Sequence, residues 1–184
     1  MRTLVIGDIH GGFRGLKQVV ERAKITTQDK LIFLGDYVDG WSESAHVISY
    51  LLELSETNNC IFIRGNHDLW CGQWLNEGAS TLTWEMHGGR ETINSYIKTS
   101  NIVNTAHKKF FEDLKSYYVD YQNRVFLHAG FTSKKGIGNE EDETTYYFDR
   151  SLWNKALTAH KKVLKNRKPL PRRLSHNTEI FIGQ

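Results

Sequence analysis

Residues 30–40 read Lys-Leu-Ile-Phe-Leu-Gly-Asp-Tyr-Val-Asp-Gly, and this stretch decides the fold. Lys30–Leu34 is a short apolar run that stops at a glycine, the pattern of a strand buried on both faces. The polar cluster Gly35-Asp36-Tyr37-Val38-Asp39 comes directly after it. Four other segments repeat the theme of short apolar runs: Thr3–Ile6, Cys60–Ile63, Arg124–Leu127 and Glu179–Ile182. Between the first and second runs, Phe13, Leu16, Val19, Val20 and Ala23 recur at helical spacing and predict a helix over Phe13–Lys24. Between the second and third, Ser42–Leu54 is patterned the same way. Strand, helix, strand, helix, strand implies right-handed parallel crossovers and an α/β sheet.

The residues just past each strand carry the chemistry. Gly7-Asp8-Ile9-His10-Gly11 succeeds the first strand, Arg64-Gly65-Asn66-His67-Asp68 the third and His128-Ala129-Gly130 the fourth. Ligands of open α/β sheets sit at the carboxyl ends of the strands. Four strands are therefore expected to bring Asp8, His10, Asp36, Asn66, His67 and His128 to one edge. Two carboxylates, several imidazoles and an amide oxygen suit Mn, Fe or Zn better than Ca or Mg alone. A carboxylate such as Asp36 is suited to bridge two cations about 3.5–4 Å apart. Two such cations, less the charge of Asp8, Asp36 and a bridging hydroxide, leave a net positive cleft that favours a phosphate dianion. Each residue alone has a plainer reading: Asp36 as a helix cap, a histidine as core, Asn66 as a turn residue. The shared position at four strand ends outweighs it.

The motifs GDIHG (7–11), GDYVDG (35–40), GNHD (65–68) and HAG (128–130), in this order, resemble the calcineurin-like metallophosphoesterases. Within them they are most similar to the bacterial Ser/Thr phosphoprotein phosphatase family. The resemblance covers essentially the whole chain. It implies a four-layer α/β/β/α sandwich with a site for two divalent metal ions, Mn²⁺ first and Fe or Zn as alternatives. It also implies the roles. Asp8, His10 and Asp36 would hold one metal, and Asp36, Asn66 and His128 the other. His67 would be the general acid, oriented by Asp39. The reaction implied is attack of a metal-bridged hydroxide on the phosphorus of a phosphomonoester, as in a Ser/Thr protein phosphatase. Two other readings stand beside it: a dinucleoside tetraphosphate hydrolase, and a non-catalytic relative that binds phosphorylated or nucleic-acid ligands.

Two departures matter. The family's second motif continues Asp-Arg-Gly, where the Arg binds phosphate; here Gly40-Trp41 comes after Asp39. Arg64 and Arg150 are the candidates to bind substrate instead, although Arg64 also reads as structural and Arg150 as a partner of Asp149. After its fifth strand the family places Gly-His, whereas this chain ends Gly183-Gln184. Either the chain is truncated or Gln184 ends it naturally, and a weaker second metal site is the expectation.

The 184 residues, 39% apolar and 24% charged, are expected to form a single domain over 1–184. Residues 69–120 carry helical spacing and Trp70, Trp74 and Trp84, and predict a helical insertion without a strand. Residues 132–149 read as a loop, and Ser151–Lys165 as a helix ended by Pro169 and Pro171. The tryptophans read mostly as core, with Trp41 and Trp70 placed to wall the cleft. His87-Gly88-Gly89 reads as a loop inside the insertion, and His46, His107, His160 and His176 as surface residues.

The net charge of +3 is uneven, because residues 160–184 hold seven Lys/Arg against Glu179 alone. This reads as a solvated basic helix, so neither nucleic acid nor a membrane is the expected partner. A phosphorylated substrate is. No apolar run reaches bilayer length and no leader is visible. Cys60 and Cys71 form neither a disulfide framework nor a zinc spacing, which fits a reducing, cytoplasmic setting.

Overall fold

The computed structural model of the chain describes residues 2–166 and 170–183. The elements run β1 (Thr3–Ile6), α1 (Phe13–Arg22), β2 (Lys30–Phe33), α2 (Ser44–Thr57), β3 (Asn59–Phe62) and α3 (Asn66–Glu77). A short turn α4 (Leu82–Trp84) leads through a π-type bulge (Glu85–Gly89) into α5 (Arg90–Lys98) and α6 (Thr105–Glu112). The second half holds β4 (Tyr117–Val119), β5 (Arg124–Leu127), α7 (Thr145–Phe148), α8 (Ser151–Asn166) and β6 (Glu179–Ile182).

The strands form two three-stranded sheets. In the first, β1, β2 and β3 are parallel, with Ile6 opposite Phe33 and Phe33 opposite Phe62. In the second, β5 lies between β4, which is antiparallel to it, and β6, which is parallel.

The period of two along each strand divides the core into three layers. Leu31 and Phe33 face a cluster shared with Leu16, Ala45, Ile48, Leu51, Trp74 and Phe110, so α1, α2, α3 and α6 cover that face. Ile32 faces the other way, into a cluster with Leu34, Ile63 and Phe126, against which Val5, Tyr118 and Phe181 pack. This is the seam between the two sheets, where Phe126 and Phe181 stack at 4.8 Å. Val125 and Leu127 face outward to Tyr146, Tyr147 and Leu152, under α7 and α8. Helices, sheet, sheet, helices is the four-layer α/β/β/α arrangement expected.

Several expectations need correction. The stretch 69–120 is not strand-free: the helices occupy Asn66 to Glu112 and β4 lies beyond them at Tyr117–Val119. Residues 132–149 contain the one-turn helix α7. His107 is buried, with Nε2 3.0 Å from Ser49 Oγ and Nδ1 3.2 Å from the Tyr96 hydroxyl. Trp74 and Trp84 are core, but Trp41 and Trp153 are exposed. The bulge at His87-Gly88-Gly89 interrupts helix rather than forming a free loop. Much of the basic stretch 160–184, including residues 167–169, and Gln184 lie outside the described residues or their side chains. No helix among the described residues is long and apolar enough to cross a membrane.

Candidate active site

The site is built at the carboxyl ends of β1, β2, β3 and β5. After β1 and β2 the chain turns through conformations that L-amino acids rarely adopt. His10, Asp36 and Asp39 all have positive φ, at 50°, 51° and 74°. Strain of this kind persists only where its surroundings fix it. Here the two loops hold each other: Ile9 N and His10 N donate to Asp36 O at 3.0 and 2.8 Å, Gly11 N to Tyr37 O at 2.8 Å, and Trp41 N to His10 O at 3.0 Å. The third loop joins them through Asp68. Its buried carboxylate accepts the backbone N–H groups of Asp36 (2.7 Å), Gly65 (2.8 Å) and Tyr37 (2.9 Å). Close approach requires glycine at 35 and 65. A Cβ on Gly35 would lie 2.6 Å from Gly65 N, and one on Gly65 would run into Asp36 Oδ1.

The four other predicted ligands gather around Asp36. Asp36 Oδ2 lies 3.7 Å from His10 Nε2 and 3.3 Å from His128 Nε2. Each imidazole has Nδ1 turned to a backbone carbonyl, His10 to Val38 O at 3.1 Å and His128 to Leu34 O at 2.9 Å. With Nδ1 turned to a carbonyl, Nε2 is the ring nitrogen that faces inward. Asp8 stands alongside, 3.9 Å from His10 Nε2 through Oδ2 and 3.9 Å from His128 Nδ1 through Oδ1. Asn66 Oδ1 is 3.2 Å from His128 Nε2. One donor atom each from His10, Asp36 and His67 falls within 4.8 Å of the others. The donor set therefore fits metal ions: carboxylate, amide and imidazole donor atoms meet around Asp36 Oδ2, where a cation could take the place of a shared proton.

The titration shifts describe the same field. Burial raises the Asp8 carboxyl, and the Asp36 charge adds to it against the pull of His128. Burial works the same way on Asp36, but the His128 hydrogen bond and the charges of His128, His67 and His10 outweigh it and hold Asp36 below its ordinary range. Burial alone would lower His128; the hydrogen bond and charge of Asp36 reverse this and lift the ring to about 9. Asp68 is pushed up to about 7 by burial and by Asp36, against its backbone N–H bonds.

His67 opens α3 with its backbone N–H donating to Asp36 Oδ1 at 3.1 Å. Its Nδ1 sits 2.6 Å from Asp39 Oδ2. Burial lowers His67, but Asp39 and Asp36 together raise it above the ordinary imidazole value. Asp39 is fully buried and also accepts Trp84 Nε1–H (2.7 Å) and the Thr92 hydroxyl (2.7 Å). Trp70 packs edge-on against His67, ring centroids 5.2 Å apart, and reaches Phe148 at 5.7 Å, so it walls one side as expected. On the other side Trp41, 70% exposed, lines an open groove of about 680 Å³ with Asp8, Ile9, Arg14 and Val19. β6 also ends here: Gly183 N donates to His128 O at 2.9 Å.

The two arginines expected to bind substrate fare differently. Arg64 donates to the carbonyls of Phe111 (2.7 Å) and Glu112 (3.2 Å) at the end of α6 and lies over Tyr147, a structural placement. Arg150 is exposed and shares a cleft of about 420 Å³ with Ala129 and Ile182, beside the His128 strand end. Asp149 pairs with Arg173 at 3.3 Å instead. Cys71 is buried, and burial together with Asp39 and Asp68 pushes its thiol well above its ordinary value, which keeps it unreactive. Sequence reading assigned no role to Asp68, Trp84 or Thr92; only Asp68 stood inside a recognised motif.

Comparison with known proteins agrees with this fold. The profile of the calcineurin-like phosphoesterase family matches residues 1–180. A PP2A-like Ser/Thr-protein phosphatase, PPG1 of Candida albicans, is 39% identical over 100 residues, covering 53% of this chain and 22% of its own length. A symmetrical bis(5'-nucleosyl)-tetraphosphatase of Marinomonas sp. is 39% identical over 138 residues, covering 71% of this chain and 44% of its own. The chain thus spans less than half the length of either relative. A Ser/Thr phosphatase structure from Saccharomyces cerevisiae superposes with TM-score 0.53 at 21% identity, over 80% of this chain and 43% of that one, which supports the fold.

Proposed function

This chain belongs to the calcineurin-like phosphoesterase family, and from that premise we propose that it is a metal-dependent phosphoester hydrolase. The observation that carries the proposal is Asp36 Oδ2 placed between His10 Nε2 (3.7 Å) and His128 Nε2 (3.3 Å), with both rings anchored through Nδ1. Asp8, His10 and Asp36 would hold one divalent cation, and Asp36, Asn66 and His128 a second, Mn²⁺ being the first candidate. Such a pair supplies positive charge for a phosphate dianion and lowers the pKa of water from about 16 towards 7.

The chain's own groups do the rest. His67 Nδ1 is committed to Asp39, so Nε2 is the atom that carries a proton to the leaving oxygen. The raised pKa of His67 favours the protonated ring this role needs. Arg150 at the cleft beside β5 is the phosphate contact; Arg64, tied to α6, is not.

The family reading leaves two substrate classes: a phosphoserine or phosphothreonine protein and a dinucleoside polyphosphate. The exposed face of Trp41, one residue past the position of the family's phosphate-binding Arg and lining a groove next to Asp8, favours the second, because an indole stacks on a nucleobase. The test is hydrolysis of p-nitrophenyl phosphate by metal-stripped protein, with and without Mn²⁺, beside His67→Asn. Mn²⁺-dependent turnover that collapses in the variant is expected; Mn²⁺-independent turnover, or none, rejects the proposal. Relative kcat/KM on a phosphopeptide and on a dinucleoside tetraphosphate then separates the classes.

A further inference from the structure

We infer that the segment from Trp84 to Thr92, in the helical insertion, is the positioning device of the acid dyad, with Trp84 and Thr92 as its positioning residues. The inference rests on the reading of His67 as general acid. In that reading the bond from phosphorus to the leaving oxygen breaks as a bond to a water oxygen forms. The proton on His67 Nε2 passes to the leaving oxygen, and a water proton returns to the imidazole through solvent.

The geometry converges on one carboxylate. Asp39 Oδ2 accepts from both His67 Nδ1 (2.6 Å) and Trp84 Nε1 (2.7 Å). Asp39 Oδ1 accepts from Thr92 Oγ1 (2.7 Å), and the Asp39 backbone N–H donates back to that hydroxyl at 2.8 Å. Asp39 and Thr92 are fully buried and Trp84 is 1% exposed. A carboxylate bound by His67 alone would turn about its last torsion and carry the imidazole with it. With donors on both oxygens from a separate element it has one orientation, and the imidazole plane is fixed with it.

The motif His87-Gly88-Gly89 explains how the insertion reaches so far. At this bulge the helix breaks, with Gly88 at φ 101°. Gly88 lies against the second loop, where Gly40 N is 3.4 Å from Gly88 O and a Cβ on Gly88 would stand 2.6 Å from Gly40 N. Gly89 is required for the indole itself, since a Cβ there would meet the Trp84 ring at 2.5 Å. Two adjacent glycines thus bring the insertion onto Asp39-Gly40 and make room for the donor. A merely structural Trp84 needs the ring, which also packs on Trp74, but not the Nε1–H aimed at Asp39.

The test compares wild type with Trp84→Phe, Thr92→Val and Thr92→Ser. Thr92→Val is nearly isosteric and removes only the hydroxyl, so it guards against a folding loss in Trp84→Phe. Phenyl phosphate needs protonation of its leaving group more than p-nitrophenyl phosphate does. We expect kcat for phenyl phosphate to fall about tenfold more than kcat for p-nitrophenyl phosphate in Trp84→Phe and Thr92→Val, with Thr92→Ser restoring most of it. In the metal-free protein the proton resonance of His67 Nδ1–H should move in both variants and stay in place in the exposed-site control Tyr121→Phe. Equal losses on the two esters, or a resonance unmoved by either variant, would overturn the inference. Absence of turnover by the wild type on both esters would instead reject the hydrolase reading, and the resonance would still decide the positioning role.

Discussion

Substitution of Asp68 tests how the three site loops are held together. This buried carboxylate accepts three backbone N–H groups, Oδ2 from Asp36 and Gly65 and Oδ1 from Tyr37, at 2.7–2.9 Å. In Asp68→Ala all three donors are left buried and unpaired. Each costs about 1–3 kcal/mol. Relief of the repulsion between Asp68 and Asp36 offsets part of this, leaving an expected loss of about 4 kcal/mol. Asp68→Asn keeps an oxygen for Asp36 N and Gly65 N but turns an amide N–H₂ towards Tyr37 N–H. One bond is lost, at about 2 kcal/mol. Against a total stability of about 5–15 kcal/mol, Ala should come close to unfolding the domain while Asn leaves it folded. Urea unfolding monitored by far-UV circular dichroism measures both. If either variant lies within about 1 kcal/mol of wild type, or if Asn costs as much as Ala, the three bonds do not hold the loops as argued.

Two further predictions concern groups away from direct ligation. His107 is buried and its burial lowers it from 6.5 to about 4, so the folded state binds fewer protons than the unfolded state between those values. Its contribution, at most about 3 kcal/mol, is therefore complete above pH 6.5 and lost as pH falls towards 4. A urea midpoint that drops across this window in wild type and drops less in His107→Gln is expected; parallel curves would contradict it. Gly65→Ala should cost about 1–3 kcal/mol by overpacking and displace the Asp36 carboxylate, against whose Oδ1 the new methyl falls. Loss of Mn²⁺ affinity by calorimetry checks this, and unchanged affinity would show that Asp36 yields without consequence.

Much of the fold was legible because its strands are short and apolar. Thr3–Ile6, Arg124–Leu127 and Glu179–Ile182 stand where the runs placed them. β4 was not legible: Tyr117-Tyr118-Val119 is three residues long, and its place in the sheet comes from pairing with Val125, Phe126 and Leu127. The candidate ligand residues could be gathered from the sequence because strand ends and glycines mark them locally. Trp84 and Thr92 were not, since they act on Asp39 from 45 and 53 residues away and a lone Trp or Thr carries no spacing. His107 was misplaced on the surface for the same reason, its partners Ser49 and Tyr96 being tertiary neighbours.

The proposed chemistry depends on Asp36 being shared by two cation positions. Titration of metal-stripped protein with Mn²⁺ by isothermal calorimetry, beside Asp36→Asn, tests it most directly. Two equivalents bound by wild type, with both weakened in the variant, is the predicted result. A single equivalent unaffected by the substitution, or no binding by wild type, would contradict it.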